Sequence, residues 1–247
     1  HLAASSSVAY SWQEPVASFL NNTNIFLNLL DVIRREQIVC RVLSVGSSEV
    51  YGEVAPEEVP LLETNPLRPV SPYAVARVAQ EHLAEVYRRG YGLEIVQTRS
   101  FNHIGARQTD RFVIPAFARQ LVAIQTAGND SGTLHTGDLS IVRDFLDVRD
   151  VVSAYHSLFE KGRNGMIYNV CRGEGRTLLE LLTIMAGYLG ITVNTLIDPA
   201  LVRPLDNPII IGDNSRLREA TGWAPQIPLQ QSLRELVEFW RGKVGPA

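Results

Sequence analysis

Phe19, Ile25, Phe26, Leu29, Leu30 and Ile33 recur at helical spacing and run into Arg34-Arg35, basic residues that suit a helix C-terminus. Arg41-Val42-Leu43-Ser44-Val45-Gly46-Ser47 is short, apolar and bounded by Gly, the pattern of a buried parallel strand. A second long helix is expected over 72–89, opened by Ser71-Pro72 and closed by Gly90 and Gly92. A strand over 93–98 follows it. The alternation continues with helices near 114–126 and 148–159, a strand at 166–170, and helices at 178–188 and 229–240. Strand-length apolar runs between amphipathic helices predict an α/β protein with a mainly parallel sheet. Pro56, Pro60, Pro66 and Pro69 exclude helix and central strand from residues 54–72, which leaves a long surface loop of the kind that often covers an active site.

At 247 residues, 45% hydrophobic and 20% charged, the chain can bury a sizeable core. Its 23 Lys and Arg against 26 Asp and Glu give a net charge of −3, so no basic field exists to hold a nucleic-acid backbone. Cys40 and Cys171 each sit in an apolar stretch and read as reduced, packed thiols of a cytoplasmic protein. No apolar run approaches the roughly 18 residues of a membrane helix, and no signal-peptide pattern opens the chain. His82, His135 and His156 show no metal-ligand spacing.

Candidate chemistry begins with Ser47-Ser48-Glu49-Val50-Tyr51-Gly52 at a strand end, followed by Ser71-Pro72-Tyr73-Ala74-Val75-Ala76-Arg77 at a helix start. Ligands of open parallel sheets bind at the carboxyl ends of strands, so hydroxyls there are well placed. Tyr73 and Arg77, four apart on one helix face, put a cation where it favours the phenolate. Taken singly these residues have plainer readings: Ser47 and Ser48 suit a turn, and Tyr73 suits an amphipathic core position. Glu49 is either a base or a solvated or salt-bridged carboxylate, and Arg143 could simply pair with Asp144 or Asp147. No Gly-x-Gly-x-x-Gly run is present, and the chain opens at His1-Leu2-Ala3-Ala4 without Met. That looks like the middle of a protein.

Ser47 followed by Tyr73-x-x-x-Arg77, after His1-Leu2-Ala3-Ala4, resembles the extended short-chain dehydrogenase/reductases, which include nucleotide-sugar epimerases, dehydratases and reductases. The likeness spans essentially the whole chain. It is strongest to the reductases of GDP-4-keto-6-deoxy sugars, through Thr98-Arg99-Ser100-Phe101-Asn102-His103-Ile104-Gly105, the segment from Val142 to Asp150, Tyr168-Asn169-Val170-Cys171 and Thr221-Gly222-Trp223-Ala224-Pro225.

The resemblance implies a Rossmann-type cofactor part over 1–110 and a smaller sugar-nucleotide lobe over 111–247, with segments near 140–170 returning to the first part. It implies reduction of the 4-keto group of a GDP-6-deoxy-hexose by NADP(H), with NAD(H) possible. Tyr73 would be the general acid, Ser47 its partner on the carbonyl oxygen, and Arg77 the neighbouring cation. Leu2, Ala3, Ala4, Tyr73, Arg77, Asn102 and His103 would border the cofactor. Ser48, Glu49, Asn102, Phe112, Val113, Arg143 and Arg203 would border the substrate, the two arginines as forks on its diphosphate. A homodimer through a four-helix bundle of two long helices, about 16–35 and 72–89, is also implied.

Arg77 departs from the family's lysine, and a planar fork is not a conservative replacement there. The first two βα units of the family are not in this sequence, which the resemblance reads as a portion of a longer protein, the favoured expectation, or as a truncation that holds cofactor poorly. The alternatives are a 4,6-dehydratase or 4-epimerase, and a silent relative that binds a sugar nucleotide. Mannose-type dehydratases carry Asn-His-Glu-Ser and Arg-Asp-Trp-Gly-His where this chain has Asn102-His103-Ile104-Gly105 and Arg143-Asp144-Phe145-Leu146-Asp147, which favours the reductase.

Overall fold

The computed structural model describes residues 1–202, 205 and 207–244. Helices α1 (Val8–Gln13) and α2 (Pro15–Arg35) precede strand β1 (Arg41–Ser47), a loop with short 3-10 turns at Ser48–Tyr51 and Pro56–Glu58, helix α3 (Pro72–Tyr91) and strands β2 (Glu94–Ser100) and β3 (Asn102–Ile104). Then come α4 (Val113–Thr126), β4 (Ser131–Thr136), β5 (Val142–Asp147), α5 (Val148–Lys161), β6 (Ile167–Val170) and β7 (Gly175–Thr177). The remainder is α6 (Leu178–Leu189), β8 (Thr192–Ile197), β9 (Ile209–Ile210), α7 (Ser215–Thr221) and α8 (Leu229–Val244).

Strands β1, β2 and β6 form a parallel sheet with β2 in the centre, in a register that sets Val42 beside Ile95, Leu43 beside Val96 and Ser47 beside Ser100. Alternation along the strands sorts its two faces. Val42 and Ile95 pack with Phe26 and Leu30 of α2 and Ala84 and Tyr87 of α3, whereas Leu43 and Val96 pack with Ala154 and Leu158 of α5, Leu217 of α7 and Trp223. Both faces are therefore covered by helices, as the continuous apolar runs of the strands require. Strand β5 pairs with β3, β7 and β9, while β4 pairs with β8 in a separate ribbon. The largest apolar cluster lies among α4, α6 and α8, around Phe117, Leu121, Leu181, Leu182, Leu236 and Trp240.

The structure departs from the sequence expectations in identifiable places. Helix α3 runs through Gly90 to Tyr91, and only Gly92, at φ +74°, closes it in the left-handed conformation. Cys40 is not packed: it is exposed one residue before the β1 ladder begins, while Cys171 is buried. The proline-rich loop does lie between β1 and α3, yet Val54 and Leu61 are buried against Tyr51, Phe101 and Ile210. Gly52 permits this fold-back. At φ +59° it lies against the Arg68 carbonyl, where a β-carbon would stand 1.5 Å from that oxygen.

Candidate active site

Both hydroxyl-bearing residues of the proposed pair stand where local structure begins. The Ser47 hydroxyl accepts the Glu49 N–H at 3.3 Å and starts the 3-10 turn; it can still donate its own proton. Ser71 caps α3 by accepting the Ala74 N–H at 3.1 Å, Pro72 fits the first turn, and Tyr73 follows. Tyr73 and Arg77 are both buried, and the guanidinium carbon lies 5.0 Å from the centre of the Tyr73 ring. Arg77 Nη1 donates to Gln80 Oε1 at 2.6 Å and to the Val45 carbonyl at 3.3 Å, which ties it to β1 two residues before Ser47.

Ser48, Glu49, Asn102 and Arg143 line one cleft, together with Val8, Val70, Ser71, Leu205, Asn207 and Ile210. Arg143, on β5, donates from Nη1 to the carbonyls of Val142 and Asn207 at 2.9 and 2.8 Å. The neighbouring carboxylates have other partners. Asp144 accepts the backbone N–H groups of Arg172, Gly173 and Gly212, while Asp147 accepts from Arg149 and Ser232. Burial pushes the Asp144 carboxyl up to about 6 against the pull of those backbone donors. At Asp147 the same desolvation is outweighed by the Arg149 and Ser232 bonds, and its pKa falls below the ordinary value.

His103 and Phe112 open instead on a second cleft of about 630 Å³ bordered by Ser6, Arg107, Arg149 and Glu235. His103 stays exposed on this cleft, and partial desolvation by the surrounding protein lowers its pKa from the ordinary value. Val113 is the exposed first residue of α4. Leu2, Ala3 and Ala4 form a strap: His1 pairs with the edge of β1 through Leu43 and Val45, and Ser5 is tied to Asn22 of α2 at 2.7 Å. Leu2 and Ala3 are exposed along it. Arg203 lies outside the described residues.

Sequence reasoning missed the polar partners beneath this surface. Tyr155 on α5 shares a 2.6 Å hydrogen bond with Ser100, the ladder neighbour of Ser47. Arg99 forms a two-pronged ion pair with Glu81 of α3 at 2.9 Å on each bond, both side chains almost wholly buried, and lies over the Tyr51 ring. Burial raises the Tyr51 phenol to about 12, so it stays protonated and donates to Asn169 at 2.6 Å. Polar residues on the apolar face of a predicted helix were the available signal for Gln80 and Glu81. Asn207, on an irregular loop, offered none.

The sequence model of the family described as "GDP-mannose 4,6 dehydratase" matches residues 1–236. The chain belongs to this family. A similar relative within its reach is GDP-6-deoxy-D-mannose reductase of Pseudomonas aeruginosa, 35% identical over 99% of this chain and 80% of that one. Among solved structures, that of Pseudomonas aeruginosa RMD complexed with NADPH superposes at a TM-score of 0.92 with 35% identity, covering 98% of this chain and 80% of the other. Thermus thermophilus UDP-glucose 4-epimerase in complex with NAD gives 0.85 and 34%, covering 98% and 76%. Family membership at this similarity makes the fold Rossmann-type α/β and the chain a nucleotide-sugar enzyme of the extended short-chain dehydrogenase/reductase type. Among the described residues no three His, Cys, Asp or Glu side chains gather as a metal site. No described helix is long and apolar enough to cross a membrane.

Proposed function

We propose that this family member reduces the 4-keto group of a GDP-6-deoxy-hexose with NADP(H). The observation that carries the reading is the hydroxyl pair at the carboxyl end of β1: Ser47 on the strand, and Tyr73 in the first turn of α3 with the Arg77 guanidinium over its ring. Tyr73 gives its phenolic proton to the carbonyl oxygen of the sugar, and Ser47 donates a hydrogen bond to the same oxygen. The nicotinamide, when bound, supplies the hydride to the carbonyl carbon. Arg77 fits a cofactor alongside: its Nε is buried without a hydrogen-bond partner among the described residues, a donor left over for a polar group such as a ribose hydroxyl. Leu2, Ala3, Ala4, Asn102 and His103 would border that cofactor. Ser48, Glu49, Asn102 and Arg143 would hold the sugar and diphosphate in their shared cleft, and Phe112 and Val113 would belong to the lobe that closes over the sugar nucleotide. In this reading residues 1–110, with the segment that supplies α5 and β6, form the cofactor part and the rest the sugar-nucleotide lobe.

The test is NADPH oxidation with a GDP-4-keto-6-deoxy sugar. A reductase consumes one NADPH per sugar reduced, whereas a dehydratase or epimerase turns over without net consumption. Tyr73→Phe should lower turnover by about 10²-fold or more while GDP affinity stays the same, since the lost proton transfer belongs to the transition state. Wild-type turnover in Tyr73→Phe would refute the assignment. Tight GDP binding with no turnover would favour the silent relative.

We also propose a homodimer in the cytoplasm. Helices α2 and α3 pack together and leave Val16, Leu20 and Val32 of α2 and Val75 and Val86 of α3 exposed, an apolar surface suited to a second copy. Light scattering should give twice the chain mass at micromolar concentration; a monomer there would refute the dimer.

A further inference from the structure

We propose that Gln80 is the positioning residue that adapts this site to an arginine at position 77, an inference that rests on the assignment of Tyr73 and Arg77 above. Gln80 lies one turn beyond Arg77 on the inward face of α3 and is 1% exposed. Its amide can point only one way. A guanidinium has donors and no acceptor, so the oxygen of Gln80 must face Arg77, and it accepts from Nη1 at 2.6 Å. The amide nitrogen then faces β1, where it donates to Ser44 Oγ at 2.8 Å and to the Val45 carbonyl at 3.1 Å. The same carbonyl accepts Arg77 Nη1 at 3.3 Å.

Gln80 thus links the guanidinium to a strand whose last residue is Ser47. A rigid strand on one side and the Tyr73 ring on the other leave the guanidinium a single orientation, with its carbon 5.0 Å from the ring centre. A planar fork can donate in its plane to Gln80 while its face covers the aromatic ring, two demands a tetrahedral ammonium does not meet in the same way. The arrangement also leaves Arg77 Nε, among the described residues, buried without a hydrogen-bond partner. Without the amide oxygen the guanidinium would lose its shortest bond and turn on its stem.

The experiment is a double-mutant cycle of Gln80→Met with Arg77→Ala, with arginine side-chain nitrogen NMR of the chain without cofactor as a second readout. Gln80→Met keeps side-chain volume and removes both amide functions. Its expected effects are a fall in kcat of about tenfold, an unchanged KM for the GDP-sugar, and merging of the separate Arg77 Nη signals as the guanidinium rotates. In the Arg77→Ala background Gln80→Met should cost nothing further. Ser44→Ala is the milder lesion, and should move kcat and the Nη signals in the same direction if Gln80→Met fails to fold. Unmerged Nη signals, or losses that multiply in the double variant, would overturn the proposal. Because the NMR readout needs no turnover, it still decides the role of Gln80 if Tyr73→Phe proves active and the catalytic assignment itself fails.

Discussion

Asp144 is a carboxylate whose environment opposes its charge, and its titration should be visible in the stability of the whole domain. It is fully buried, with Oδ1 accepting the Arg172 N–H at 2.8 Å and Oδ2 accepting those of Gly173 and Gly212 at 2.9 and 3.4 Å. Burial nevertheless dominates and raises the carboxyl from 3.8 to about 6. The folded state therefore binds the proton more tightly than the unfolded chain. Stability from this group is fully present below pH 3.8 and is lost as pH rises through about 6. Two pH units at about 1.4 kcal/mol each put the loss at about 3 kcal/mol. Asp144→Asn removes the titration. It also turns an amide NH₂ toward backbone donors, a cost that does not vary with pH. Urea unfolding of both proteins, followed by tryptophan fluorescence at about pH 4 and about pH 7, should show the stability difference moving by about 2 kcal/mol of that total in favour of the variant as pH rises, because at pH 4 the unfolded carboxyl is already partly ionised. A difference that stays constant between those values would refute the reasoning. The clamp matters to the site because Gly212 follows β9, which pairs with β5 beside Arg143.

Arg143→Ala should weaken GDP binding by roughly 1.5–3 kcal/mol, the range of a charge-assisted hydrogen bond, measured by calorimetry; unchanged affinity would remove Arg143 from the diphosphate site. Glu81→Gln leaves the Arg99 guanidinium buried beside a neutral partner and should destabilise the fold by about 3–5 kcal/mol in urea titration, while breaking an exposed pair such as Arg34 with Asp31 should cost far less.

Periodicity alone located β1 at Arg41–Ser47 and the start of α3 at Ser71-Pro72, because a buried strand must be apolar on both faces and a helix start needs an oxygen cap and tolerates proline. It also put Ser47 at a strand end and Tyr73 and Arg77 on one helix face. The short elements escaped it: α1 has six residues, β9 two, and β8 pairs among the described residues with β4 alone, so their existence depends on neighbours distant in the chain. The tertiary structure likewise decided which polar residues became buried. Tyr73, Arg77, Gln80 and Glu81 share the inward face of α3 with Ala76 and Ala84, a face whose spacing reveals a helix but not what each polar group will meet. Gln80 finds Ser44 across 36 positions of chain, and Glu81 finds Arg99 across 18. Cys40, in an apolar run, is left in solvent because the ladder starts one residue later. A hydrophobic pattern is local, while the partner of a buried donor or acceptor is set by how strands and helices are brought together, and so the chemistry around Tyr73 became visible only in the folded chain.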